Sequence, residues 1–300
     1  MTSVIVDVPA KTNLTLHVGA PRAEWSGRHA LDTIYCGVGV YDTVTLTDKE
    51  PGAGFSLDLA GGHLGDLAST ASDMRRNHAV LALFALAEAS GRSPDVAIRL
   101  DKRIPVAAGL GGGSADAAGT LLGLNRLWNL DWPIERLRAI AATLGADMPF
   151  CLSGGYAHGT GFGEQIEPID NDSRAANDLR QAGYCDALLI GAYHDALSTP
   201  AVYRQYDLVG AGVDRNGETD ANHLQHAAIS LHPRSGEAIE QALAAGARQA
   251  FVSGSGPSVI AFVPDNETAA NVRDNWTSSR CVDRIIAADA PAVPRVSECR

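Results

Sequence analysis

Ile104-Pro105-Val106-Ala107-Ala108-Gly109-Leu110-Gly111-Gly112-Gly113-Ser114-Ala115-Asp116-Ala117-Ala118 is the stretch that decides how the rest of the chain is read. An apolar run enters a glycine-dense turn, and an alanine- and leucine-rich pattern with helical spacing continues to Trp128. Glycines let a backbone crowd against a ligand with no Cβ in the way, and Ser114 has the chemistry of a helix N-cap. Main-chain N–H groups turned outward ahead of a helix N-terminus make an anion site. The expectation is a cradle for the phosphates of a nucleotide. A flexible Gly/Ser linker would use similar residues, but linkers rarely lie between an apolar strand and a small-residue helix. No Lys follows the glycines, so the loop is not of the Walker A type, and the spacing of a dinucleotide fingerprint does not occur.

Upstream of the loop, residues 4–8 and 13–18 read as two strands broken at Pro9-Ala10-Lys11, with further strands over 33–46 and 55–59. A helix over 77–89 stops near Gly91, and a strand over 96–100 feeds the loop. Downstream, a helix covers 134–144 and glycines punctuate short strands at Tyr156 and over 164–169. Residues 170–181 are polar without a period and read as exposed loop. Strands over 187–193, 250–252, 259–263 and 284–288 then mix with helices over 200–206, 222–230, 235–245 and 267–276. A loop spans 210–219, and a loose tail follows from Pro291. Strict β-α alternation is absent, so the fold class is α+β in two domains, 1–154 and 155–300.

The chain has 300 residues with 24 basic against 35 acidic, a net charge of −11, which argues against nucleic acid or an anionic membrane as partner. No apolar run approaches about 18 residues, and the first residues lack the basic and apolar regions of a signal peptide. The expectation is a soluble, cytoplasmic protein, a monomer or weak homodimer, acting on small molecules. Cys36, Cys151, Cys185, Cys281 and Cys299 are odd in number and scattered, which fits reduced thiols better than disulfides or structural zinc.

Three features outside the loop could carry chemistry. Lys11 sits at the strand break with Asn13 two residues on, and an extended chain would put both on one face. Gly145-Ala146-Asp147-Met148-Pro149-Phe150 holds one carboxylate among apolar neighbours. Burial would raise the pKa of that acid, and a nearby ammonium would restore its ionised form. Ser253-Gly254-Ser255-Gly256-Pro257-Ser258 could present further N–H groups to an anion. Each also has a plainer use: a solvated lysine, a turn-making aspartate, a simple hairpin. Phosphoryl transfer needs a phosphate cradle, an acceptor for the alcohol's proton and a cation, and these features supply all three.

In that order, Pro9-Ala10-Lys11-x-Asn13-Leu14, the Pro105 to Ala118 stretch, Gly145-Ala146-Asp147-Met148-Pro149 and Gly254-Ser255-Gly256-Pro257-Ser258 resemble the motifs of the GHMP kinase superfamily. The resemblance implies an N-terminal domain like the second domain of ribosomal protein S5 and a ferredoxin-like C-terminal domain, with the substrates between them. It implies ATP as co-substrate, with Mg²⁺ carried on it, bound along Pro105, Val106, Ala107, Ala108, Gly109, Leu110, Gly111, Gly112, Gly113 and Ser114, with Lys102 nearby. Asp147 would be the base, Lys11 its stabilising cation and Asn13 a holder of the acceptor. Lys11-x-Asn13, the triple glycine and Gly145-Ala146-Asp147 are most similar to the branch acting on a cytidyl-linked methylerythritol. That branch phosphorylates the tertiary 2-hydroxyl on the non-mevalonate route to isoprenoid precursors. It implies that His29 meets the cytosine edge and that Tyr35, Thr199 and Tyr203 line the cytidine pocket. Homoserine, mevalonate and sugar kinases, or a non-catalytic nucleotide-binding module, are the alternatives.

Two residues depart from a simple fit. Arg28 stands where the family usually has a tyrosine that stacks on cytosine. A guanidinium also stacks on flat rings, and Tyr35 or Trp25 could replace the lost aromatic. Asp116 would repel a phosphate unless it faces away or meets Mg²⁺, and facing away is the expectation.

Overall fold

A long antiparallel ladder of β1 (Ser3–Arg22) and β2 (Arg28–Asp48) carries the first half of the molecule. The computed structural model of the chain describes residues 2–61, 71–213 and 217–299. Pro9 does not split the first strand in two, as its sequence suggested. It sits at a register shift between Pro9 and Ala10 inside one continuous strand. A proline withdraws one ladder N–H, and an irregularity in the pairing absorbs that loss without ending the strand. Just beyond the shift, the Lys11 N–H donates 2.9 Å to the Leu110 carbonyl, which ties β1 to the glycine loop.

The remaining elements of this half are β3 (Ser56–Gly61), α1 (His78–Ser90), β4 (Val96–Lys102), α2 (Gly112–Leu127), α3 (Ile134–Leu144), α4 (Met148–Cys151), β5 (Tyr156–Thr160) and β6 (Gln165–Ile169). There follow α5 (Arg174–Gln181), β7 (Asp186–Ala192), α6 (Thr199–Val209), α7 (Gln225–Leu231) and α8 (Pro233–Ala244). The chain closes with β8 (Gln249–Val252), β9 (Val259–Phe262), α9 (Asn266–Ser279), β10 (Arg284–Ala290) and β11 (Arg295–Cys299).

The first sheet runs β11-β1-β2-β4-β3, with β5 paired to β2 and β6 to β5. The second runs β10-β7-β9-β8 with antiparallel pairs throughout, the ferredoxin-like strand order. β5, β6 and β11 belong to the first sheet although they lie past the boundary expected at 154. Two further expectations change. The polar segment after Asp170 holds α5, started by Ser173, whose side chain accepts from the Ala176 N–H; only Ala176 is buried, so no apolar period betrays the helix. The tail expected from Pro291 contains β11, which pairs with β1 from Ser3↔Cys299 to Asp7↔Arg295. Of the loop expected over 210–219, residues 214–216 lie outside the described residues.

Packing explains the small residues of α2. A side-chain carbon at Gly119 would meet Val8 and Val44 at 2.6 and 2.8 Å, so this helix lies directly on β1 and β2. One apolar core holds these strands together with Leu188, Ile190, Phe251, Ile260 and Phe262 of the second sheet. A smaller cluster gathers round Trp276, whose indole N–H donates to the Ala238 carbonyl. Among the described residues no helix is long and apolar enough to cross a membrane. Cys36, Cys151, Cys185 and Cys281 are free thiols.

Candidate active site

The glycine loop lies between β4 and α2. Gly111 adopts a left-handed conformation (φ 69°) as N-cap of α2, so Ser114 falls within the first turn and caps nothing, contrary to expectation. The leading N–H groups of such a helix have no partner inside it. Gly109 also has positive φ (79°), and a Cβ there would collide with the Ser253 carbonyl. The turn after β8 is packed onto the loop: the Ser253 hydroxyl lies within hydrogen-bond distance of the Gly109 carbonyl, at 3.1 Å, and of Thr12 Oγ1, at 2.9 Å.

Pro105, Ala107, Ala108, Gly109 and Gly111 to Ser114 line a cleft of about 970 Å³ that continues to Lys11 and Asp147. Val106 and Leu110 do not line it. Leu110 is fully buried in the core, while Val106 is exposed. His78, the first residue of α1, lies against Gly113 and also lines the cleft. Burial and, secondarily, the Lys102 charge hold its imidazole below the usual histidine pKa.

At the inner end of the cleft, Lys11 and Asn13 do share a face: the Lys11 ammonium donates 2.9 Å to Asn13 Oδ1. The same ammonium lies 3.2 Å from Asp147 Oδ2. Lys11 is buried, but the Asp147 side chain keeps 31% of its surface open. The Asn13 amide donates to the Thr33 hydroxyl, which donates in turn to the Thr15 carbonyl, so the amide's orientation is fixed. The Tyr35 hydroxyl donates to Asp147 Oδ1 at 3.1 Å, and its ring stacks on Phe150. Burial, and then the neighbouring Asp147 charge, push the Tyr35 phenol well above its usual pKa. Gly254 closes this group from the second sheet's side: a side-chain carbon there would come 3.1 Å from Asn13 Oδ1. Residues 11, 147 and 254, far apart in sequence, therefore meet at one point.

The outer end is aromatic. His29 stacks on Tyr203 with centroids 5.1 Å apart, and its Nε2 lies 2.9 Å from Asp207 Oδ1. Thr199 Oγ1 lies 2.9 Å from Ser255 Oγ, joining α6 to the turn. Tyr35 lines the cleft but is committed to Asp147. The flat surface beside Arg28 is instead Phe162, with the guanidinium 4.5 Å over its ring and Trp25 edge-on at 5.8 Å. Phe162 was missed because it stands alone between Gly161 and Gly163, where a glycine-rich turn was the natural reading.

Lys102 does not reach the cleft. It is 2% exposed, and its ammonium turns inward to Asp42 and Asp116. An ammonium at the end of β4 finds two buried carboxylates beside it, and pairing with one oxygen of each offsets the cost of burying the three charges. Asp116 faces away from the cleft, as expected.

Comparison with known proteins accords with this geometry. Residues 77–155 match the model for the GHMP kinases N terminal domain, and residues 196–283 that for the GHMP kinases C terminal domain. A 4-diphosphocytidyl-2-C-methyl-D-erythritol kinase of Bifidobacterium adolescentis is 67% identical over 99% of this chain and 94% of that protein. The protein of that name in Streptomyces coelicolor is 37% identical over 90% of this chain and 91% of its own length. A solved 4-(cytidine 5'-diphospho)-2C-methyl-D-erythritol kinase superposes with a TM-score of 0.71 at 28% identity, covering 96% of this chain and 99% of that one. A homoserine kinase from Cytophaga hutchinsonii also reaches 0.71, at 17% identity over 98% of this chain and 97% of its own, a likeness of fold alone. The chain belongs to the GHMP kinases, in the family of the 4-diphosphocytidyl-2-C-methyl-D-erythritol kinases.

Proposed function

We propose that this protein transfers the γ-phosphoryl group of ATP to the 2-hydroxyl of 4-diphosphocytidyl-2-C-methyl-D-erythritol, on the non-mevalonate route to isoprenoid precursors. The observation that carries the reading is the 3.2 Å pairing of Lys11 with Asp147, in the same cleft as the glycine loop. The loop amides and the N-terminus of α2 cradle the nucleotide's phosphates. Asp147 takes the proton of the acceptor hydroxyl, and Lys11 pairs with that carboxylate and stabilises charge on the transferred group. Asn13 orients the acceptor alcohol, and Tyr35 fixes the carboxylate. The His29–Tyr203 stack and Thr199 take the cytidine end. Aligning two bound reactants supplies roughly 7–11 kcal/mol of the barrier reduction in such reactions, more than base assistance does.

Mg²⁺ enters with ATP as part of the substrate. Among the described residues no cluster of three His, Cys, Asp or Glu is arranged to hold a metal, and Asp116 is committed to Lys102. The enzyme works in the cytoplasm, as a monomer or weak homodimer. The test is ATP consumption with the cytidyl acceptor, homoserine and mevalonate in parallel. Turnover with the cytidyl acceptor alone supports the reading, and turnover only with an acceptor lacking the cytidyl group overturns it.

A further inference from the structure

Behind the glycine loop, away from the cleft, three charged side chains are buried together: Asp42 on β2 at 0% exposure, Lys102 on β4 at 2% and Asp116 on α2 at 3%. The Lys102 ammonium donates to Asp42, to Asp116 Oδ2 at 2.6 Å and to the Gly112 carbonyl at 3.4 Å. The second oxygen of Asp42 accepts the N–H groups of Arg103 at 2.6 Å and Ile104 at 2.9 Å. The residues that lead into the loop and those that leave it are thus tied to one ammonium. The two acids are not equivalent. Both oxygens of Asp42 have donors, whereas Asp116 Oδ1 has no hydrogen-bond partner among the described residues. A buried carboxylate oxygen without a donor disfavours the ionised form. With both acids ionised, the cluster would hold one net negative charge directly behind a loop that faces a polyphosphate.

We propose that the Asp42–Lys102–Asp116 cluster is a positioning device for the glycine loop, and that Asp116 holds a proton while the nucleotide is bound. The inference rests on the loop being the nucleotide site. Lys102 and Asp42 fix the loop's two ends, and the neutral acid keeps the charge behind it balanced. Burial pushes the Asp116 carboxyl up to about 7, with the Lys102 ammonium opposing the rise and Asp42 adding to it. Cys151 on α4 lies within its electrostatic reach, and His78 on α1 within that of Lys102. Proton uptake then favours nucleotide binding, so affinity is highest below that pH and declines as pH rises through it.

The experiment is calorimetric titration of the full chain with Mg·ATP, without acceptor, between about pH 6 and pH 8.5, on wild type and D116N. Asparagine imitates the protonated acid and cannot ionise. Ionisation of ATP and of His78 is common to both proteins, so the ratio of the two Kd values isolates the carboxyl. Equal affinities are expected at the acid end, with wild type about tenfold weaker than D116N at the alkaline end. D116S, which removes the acid altogether, repeats the comparison should D116N fold poorly. A ratio that stays flat with pH, or a variant weaker throughout, overturns the proposal while leaving the kinase reading intact. A wild-type chain that does not bind ATP overturns both.

Discussion

Asp147 has one oxygen against the Lys11 ammonium and the other under the Tyr35 hydroxyl, while part of its surface remains open to the cleft. A carboxylate has about four lone-pair sites, so both contacts leave room for an acceptor alcohol. D147N preserves the shape and one acceptor oxygen but cannot take the proton. It is expected to melt near wild type and bind ATP normally, with kcat about 10²–10⁴-fold lower; thermal melting, ATP titration and steady-state kinetics check the three. The outer wall of the cleft gives a second prediction. F162A removes the ring over which the Arg28 guanidinium lies at 4.5 Å, and loss of a stacking plane costs about 1–3 kcal/mol per base. KM for the cytidyl acceptor should rise about tenfold while KM for ATP holds; an unchanged acceptor KM would show that this wall does not touch the base. Lys11, Asn13 and Asp147 could be singled out because they stand in motifs that follow one another in a fixed order, although each motif alone also has a plainer use. Lys102 misled because charge is written in the sequence and side-chain direction is not.

At the scale of the element, the glycine loop divides into positions that require glycine and one that tolerates a side chain. Gly109 combines positive φ with a carbonyl where a Cβ would be, whereas Gly112 has ordinary helical geometry and would meet the Ile104 methyl at 3.2 Å and, at ordinary contact distance, Ile104 Cβ and the Lys102 ammonium at 3.5 Å. G109A should therefore destabilise the fold by about 1–3 kcal/mol and weaken ATP binding, with G112A affecting both much less; urea unfolding and ATP titration read the contrast. A second local device clasps β1 to the second half. Residues 221–223 pair with Leu16, and His223 Nδ1 accepts the Val18 N–H at 3.1 Å. Accepting that bond requires an unprotonated Nδ1, and burial, then the His17 ring, hold the His223 pKa below its ordinary value. The unfolded chain binds the proton more readily, so this contribution is complete above about pH 6.5 and is lost as pH falls through the depressed folded value. H223N keeps an acceptor oxygen but cannot titrate. Its urea midpoint should fall less than that of wild type between about pH 7 and pH 5.5. Helices with a clear apolar period or a clean stop, such as α1 between Asn77 and Gly91, could be read directly. By contrast, α5 buries one alanine, and β11 is recognisable only through its partner on β1, so neither carries a local signature.

Over the whole molecule, the two-domain architecture was readable from the order of motifs, but the path of the chain between the domains was not. β5, β6 and β11 return to the first sheet, and one apolar core contains Leu14, Tyr35 and Leu121 along with Leu188, Ile260 and Phe262. Sheet membership is decided by which edge is available for pairing, a property of the assembled fold and not of any local stretch. A shared core makes the halves mutually dependent, because separating them exposes apolar surface on both at once. The full chain should therefore unfold in one step, with the fluorescence of its four tryptophans, three in the first half and Trp276 in the second, changing at the same urea concentration as the far-UV signal. With the loop as the proposed nucleotide site, ATP would contact chiefly the first half, so independent domains would respond separately to it. With a common core, ATP at about 100 times its Kd should raise the stability of the entire chain by about 2.7 kcal/mol and move every probe together. A shift confined to the signals of Trp25, Trp128 and Trp132, with Trp276 unmoved, would mean that the core joining the two sheets does not bind them into one cooperative unit.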